Sequence, residues 1–147
     1  MGPFVHSELA KSLKVGICGF GTVGGGSYQL LQDNGEEITR RVGCAIEVVR
    51  IASRSIGSGD VGSTVKISND PFDVVNDPEV ELVIETIGGF DPAFEVVRQA
   101  LANGKHVVTA NKALIAERGN ELFKVAQQNA VTLAYESAVA GGIPIIK

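Results

Sequence analysis

Gly19, Gly21 and Gly24 stand at Gly-x-Gly-x-x-Gly spacing directly behind the apolar run Lys14-Val15-Gly16-Ile17-Cys18. At a strand–turn–helix junction each glycine has its own use. Gly19 permits the tight turn, Gly21 lets the backbone approach a pyrophosphate, and Gly24 lets the helix pack closely on the strand. The N–H groups of Phe20, Gly21, Thr22, Val23 and Gly24 would then point at an anion where the helix dipole favours negative charge. The chemistry implied is dinucleotide binding. Glycine-rich turns also occur without a ligand, so the reading rests on the strand before the turn and the amphipathic run after it.

Three further groups stand where strands are expected to end. In a dinucleotide fold an acid at the tip of the second strand accepts from a ribose hydroxyl, whereas an Arg accommodates a ribose phosphate. This chain has Ala52-Ser53-Arg54-Ser55 and no acid. Arg54 therefore reads either as a phosphate partner, through charge-assisted bonds, or as a solvated loop cation. The first reading expects NADP in preference to NAD, or tolerance of both. Lys112, in Thr109-Ala110-Asn111-Lys112, could hold a substrate oxygen, contact a cofactor or donate a proton. It could equally be a surface lysine. His106, at the start of a strand, reads as structural. Glu136, followed by small residues, offers a carboxylate and accessible carbonyls to a hard cation, or else is part of an ordinary strand-to-helix turn. Glu81 and Glu85 either line the cleft or are simply solvated. Cys18 and Cys44 read as buried, inert thiols.

The elements that position these groups follow from periodicity. Val23, Ser27, Leu30, Leu31 and Ile38 share a helical face after the glycine turn. Strands are expected at Ala45 to Ala52, Glu81 to Thr86, Lys105 to Thr109 and Val131 to Tyr135. Between the first two lies a Gly/Ser-rich loop with a short edge strand at its end. Asp70-Pro71 starts a short helix with Pro at its first position. Asp91-Pro92 opens a helix with Phe94, Val97 and Leu101 turned inward, and Asn111 to Asn129 is helical with an interruption at Gly119. Strands alternating with helices give an α/β, Rossmann-type, doubly wound parallel sheet in a single domain. Residues 1–13 read as an N-terminal arm and 14–147 as the dinucleotide-binding domain.

The chain has 147 residues and a formal net charge of −4. That acidic balance argues against a nucleic-acid or membrane surface. No apolar run reaches the roughly 20 residues that span a bilayer, and the N-terminus lacks a signal-peptide pattern. A cytoplasmic protein acting on a small molecule is expected. Pro144 is placed as a helix start inside an unfinished apolar segment, Ile143 to Ile146, so the natural polypeptide is expected to continue. Exposure of that segment would favour self-association or disorder.

Together, Gly19 to Gly24, Val83-Ile84-Glu85-Thr86-Ile87-Gly88-Gly89, Val107-Val108-Thr109-Ala110-Asn111-Lys112 and Tyr135 to Lys147 resemble homoserine dehydrogenase. The likeness covers nearly everything from Lys14 onward. It implies reduction of aspartate 4-semialdehyde to homoserine with NADPH or NADH, on the route to threonine, methionine and isoleucine. It further implies that Lys112 is a catalytic and cofactor-contacting residue and that Thr86 belongs to the cofactor site. A sodium-type site would use Glu136 and the carbonyls of Val139, Gly141 and Ile143. Family members continue into a substrate and dimerisation domain with a second catalytic lysine, so the parent is expected to be a homo-oligomer and this chain alone to be catalytically silent. Two rival readings remain. A sugar-type oxidoreductase shares the Gly104-Lys105-His106-Val107 strand start but typically continues Glu-Lys-Pro. A non-catalytic nucleotide-sensing module would account for the missing second domain.

Overall fold

The computed structural model describes residues 12–19, 25, 28–29, 32, 45–54, 61–62 and 64–135. Within them lie β1 (Ser12–Cys18), β2 (Ala45–Ala52), β3 (Lys66–Ser68), α1 (Pro71–Val75), β4 (Leu82–Glu85), α2 (Ala93–Ala102), β5 (His106–Thr109), α3 (Lys112–Gln128) and β6 (Leu133–Tyr135). All pairings are parallel, in the order β3-β2-β1-β4-β5-β6. This is the Rossmann-like sheet expected from the alternation of strands and helices. Strand order reverses between β1 and β4. Ligands of open parallel sheets bind at such a switch point, beyond the carboxyl ends of the strands.

Two apolar layers hold the sheet. On one face Cys18, Val83, Val107 and Leu133 meet Val74 and Val75 of α1, Val96, Val97 and Leu101 of α2, and Leu114 and Leu122 of α3. On the other, Val15, Ile17, Val48, Ile51, Ile84 and Val108 pack with Tyr28. The expected inward positions Phe94, Val97 and Leu101 are all buried. At Gly16 an added Cβ would overlap Val74 and sit 3.2 Å from Val80. The glycine thus lets α1 lie close on β1.

Local signals set the helix starts. The Asp70 carboxylate accepts from the Phe72 N–H at 2.9 Å, with Pro71 at the first helical position. Both features satisfy or remove amide donors that a helix start leaves orphaned.

Several expectations need correction. β1 begins at Ser12, where it pairs with Ala45, ahead of the expected boundary at Lys14. β4, β5 and β6 are each one or two residues shorter than read, although Glu81 and Thr86 still exchange main-chain bonds with β1 just beyond the ends of β4. β2 carries an irregularity that no alternation pattern disclosed. Val15 pairs with Val48 but Gly16 with Arg50, so Val48 and Ile51 face one layer while Val49 and Ala52 face the other. Gly119 does not interrupt α3. An added Cβ would meet Ile115 at an ordinary 3.4 Å, and burial of Leu114, Leu122 and Ala126 on the same helix outweighs the roughly 1 kcal/mol an interior glycine costs. Gly25, Tyr28, Gln29 and Gln32 are helical. Ser27, Leu30, Leu31, Ile38 and Cys44 lie outside the described residues.

Candidate cofactor site

Register places Ser68, Ala52, Cys18, Glu85, Thr109 and Tyr135 in one row across the carboxyl edge of the sheet. Everything predicted to do chemistry follows this row in sequence. In the first half, β1 to β3, the row is tied by main-chain groups. The Gly19 N–H donates to Ala52 O at 2.8 Å, and the Ser53 N–H to Ser68 O at 2.9 Å. Arg54 follows, exposed.

Gly19 is the seam between the halves. Its φ of +92° is left-handed, a conformation that glycine adopts without steric cost. Thr86 closes over it. The Thr86 N–H donates to Cys18 O at 2.9 Å, and its hydroxyl lies 3.1 Å from Cys18 O and 3.0 Å from Gly19 O. A Cβ on Gly19 would sit 2.8 Å from that hydroxyl. Thr86 therefore spends its one hydrogen holding the glycine turn.

The second half is built differently. Glu85 is fully buried. One carboxylate oxygen accepts the Thr109 hydroxyl at 2.5 Å, and the other accepts the Ile87 N–H at 2.8 Å and the Gly88 N–H at 3.4 Å. Burial pushes this carboxyl above the usual range, and the hydrogen bonds from Thr109, Ile87, Gly88 and Asn111 only partly pull it back. The Asn111 N–H donates to Thr109 Oγ1 at 3.0 Å. Its side chain caps α3 by accepting the Leu114 N–H at 3.0 Å and donates to Gly89 O at 2.6 Å. Gly88 and Gly89 have φ of +83° and +71° and open space where a side chain would stand. They form a bare ledge beside the first residue of α3, the exposed Lys112.

Sequence reasoning placed Gly19, Arg54, Thr86 and Lys112 on this edge, and all four are there. Phe20, Gly21, Thr22, Val23 and Gly24, and the expected cation ligands Glu136, Val139, Gly141 and Ile143, lie outside the described residues. The sequence leaves Glu85 between cleft-lining and solvated. It is neither solvated nor idle. Thr109 and Asn111 were read as sequence around Lys112, yet they build its support. The visible signal was Thr109-x-Asn111, a hydroxyl two residues before an N-cap amide. His106 is structural, its Nδ1 accepting the Thr132 N–H at 3.0 Å. Cys18 is buried, with its thiol pushed up by that burial and by the nearby Glu85 charge, which keeps it unreactive. Lys105 was missed altogether. It is buried and donates to the carbonyls of Asp77 and Val80, both at 2.7 Å.

These residues fit a dinucleotide. Gly19, which admits no side chain, sits at the switch point, with a bare glycine ledge beside it. Among the described residues no helix is long and apolar enough to cross a membrane. A sequence-family model described as the NAD-binding domain of homoserine dehydrogenase matches residues 19–136. Homoserine dehydrogenase of Pseudomonas aeruginosa is 56% identical over 138 residues, covering 93% of this chain and 32% of that protein. The Bacillus subtilis enzyme of the same name is 37% identical over 140 residues, again spanning 32% of its length. The crystal structure of a homoserine dehydrogenase from Thiobacillus denitrificans superposes with a TM-score of 0.81 at 51% identity, covering 88% of this chain and 30% of that one. A biliverdin reductase from Synechocystis, at 23% identity and a TM-score of 0.67, shares the fold alone. This chain thus spans about a third of the length of its curated relatives, and it belongs to the homoserine dehydrogenase family as a nicotinamide-dinucleotide-binding domain.

Proposed function

We propose that this chain is the cofactor-binding part of an oxidoreductase that interconverts L-homoserine and L-aspartate 4-semialdehyde, in the biosynthesis of threonine, methionine and isoleucine. The observation that carries the reading is family membership over residues 19–136, joined to a carboxyl edge that presents Gly19, Arg54 and Lys112 along one row of strand ends. The N–H groups of Phe20 to Gly24 bind the pyrophosphate. Arg54 binds the 2′-phosphate of NADP, which is preferred to NAD or accepted alongside it. Thr86 acts from beneath, keeping Gly19 turned. When bound, the nicotinamide ring supplies or accepts the hydride.

Lys112 stands beside the ledge at the start of α3, where an ammonium can stabilise the developing alkoxide or hand it a proton. Glu136 with the carbonyls of Val139, Gly141 and Ile143 forms a sodium-type site, one carboxylate and three neutral oxygens suiting a hard cation. The parent enzyme is a cytoplasmic homo-oligomer. Its remaining two-thirds supplies the other side of the substrate pocket, so residues 1–147 alone bind cofactor without turning over substrate, since rate acceleration needs both reactants held together.

The test is Lys112→Ala in the full-length enzyme, assayed with aspartate semialdehyde and NADPH. Turnover falls by about 10²-fold or more while the circular-dichroism spectrum stays near wild type. Unchanged turnover removes Lys112 from the site. Turnover with a different aldehyde and none with the semialdehyde overturns the substrate assignment.

A further inference from the structure

Among the described residues, Glu85 is the one buried carboxylate, and it has no part in the mechanism above. Glu85 lies beneath the cleft, with every neighbour oriented by it. Its carboxylate is an acceptor only, and three donors converge on it from two strand ends, Thr109 Oγ1 on one oxygen and the N–H groups of Ile87 and Gly88 on the other. Thr109 receives the Asn111 N–H, so its single hydrogen is left for Glu85. The Asn111 side-chain oxygen is taken by the Leu114 N–H, which turns its amide nitrogen toward Gly89 O. Through Gly88 and Gly89 the path returns to Glu85. The ring is closed, and each member has one orientation.

We propose that Glu85 is a positioning residue for the nicotinamide half of the cofactor, its carboxylate anchoring the Glu85–Thr109–Asn111–Gly89 ring that locks the bare Gly88-Gly89 ledge to the start of α3. The inference rests on the cofactor reading above. In a doubly wound sheet each half receives one mononucleotide, and the glycine turn with the tip of β2 receives the adenosine side. Arg54 lies at that tip. The ring lies wholly in the other half, on β4, β5 and the turns that follow them. A buried ring of this kind is rigid only while every member is satisfied. Glu85→Gln turns an acceptor into a donor facing at least one N–H or O–H donor. The ledge then shifts relative to Lys112, while Gly19 and Arg54 stay where they are.

The experiment uses this 147-residue chain and two probes, NADP and adenosine 2′,5′-bisphosphate, titrated calorimetrically. NADP spans both halves, and the bisphosphate occupies the adenosine half alone. Glu85→Gln and the nearly isosteric Thr109→Val weaken NADP by about tenfold or more and leave the bisphosphate within about twofold. Thr109→Ser, which keeps the hydroxyl, restores NADP binding, and the emission of bound NADPH returns to its wild-type maximum. If both probes weaken together, Glu85 is merely structural and the proposal falls. It falls also if NADP is unaffected. If Glu85→Gln does not fold, the Thr109 pair decides by the same criteria. If the wild-type chain binds NADP and the variants lose both probes equally, the ring's role alone falls, whereas a wild-type chain that binds neither NADP nor NAD sinks the cofactor reading and the ring's role with it.

Discussion

The strand ends of β1 to β3 are joined by main-chain groups, whereas at those of β4 and β5 buried side chains are added to the main-chain bond from the Ala110 N–H to Glu85 O. In the first half Gly19, Ala52, Ser53 and Ser68 exchange backbone hydrogen bonds, and Arg54, which we propose chooses between cofactors, stands in solvent. In the second, Glu85, Thr109 and Asn111 are buried and mutually satisfied, and Lys105 repeats the pattern below them by binding two carbonyls ahead of β4. The difference teaches how one sheet serves two demands. An exposed side chain at a strand tip can change cofactor preference at little cost to the fold. A buried ring cannot change without cost, but it holds a ledge in one place.

The seam should be the most sensitive point of that contrast. Gly19→Val forces a branched side chain into a left-handed turn and against Thr86. Strain and overlap each cost about 1–3 kcal/mol, so urea unfolding should show a loss of at least ~2 kcal/mol, with cofactor binding abolished. A wild-type midpoint would mean that Thr86 does not close over Gly19. Lys105→Met comes next. It leaves the buried Val80 carbonyl without its donor, while Asp77 O keeps the Val80 N–H, at about 1–3 kcal/mol, but should not change the ratio of NADP to adenosine 2′,5′-bisphosphate affinity. A change in that ratio would show that the second half has no separate support at its far end.

Arg54→Ala tests the exposed half. Stability should stay within about 0.5 kcal/mol, and the NADP-to-NAD affinity ratio should fall about tenfold, or ~1.4 kcal/mol. An unchanged ratio returns Arg54 to being a loop cation.

The smallest effect is in acid. Asp77 is held below the usual carboxylate range, because burial, which alone would raise it, is outweighed by the Glu79 N–H and by Arg50 at 2.7 Å. Its contribution is therefore present above the unfolded value of about 3.9 and is lost as pH falls through the folded one. Glu85 has the opposite sign. Burial raises it, so it favours the folded chain most below about pH 4.3 and less as pH climbs through its folded-state value. Unfolding midpoints between pH 2 and 7 should show Asp77→Asn flattening only the acid limb, by less than about 1 kcal/mol because the pair is partly exposed. Flattening of the neutral limb instead would reverse the assignment.

The order of elements was legible because it depends on local pattern. Apolar β-branched runs, Asp70-Pro71, Asn111 and the left-handed Gly19 all act within a few residues of themselves, and a chain reads such signals before it collapses. Arg54 and Lys112 were legible for a related reason, since a strand's end in sequence is its end in space. The fate of Glu85 was not. Alternation along β4 says which way its side chain points but not that Thr109, 24 residues away, will meet it there. Without that donor a carboxylate at this position would have to stay in water. Lys105 likewise looks like any lysine before a strand until Asp77 and Val80 are brought over it. By itself the sequence determined the parallel α/β order, the glycine turn and which residues stand at the carboxyl edge. Only the tertiary structure decided which charged groups could leave water, because burying a charge depends on partners that distant parts of the chain must deliver.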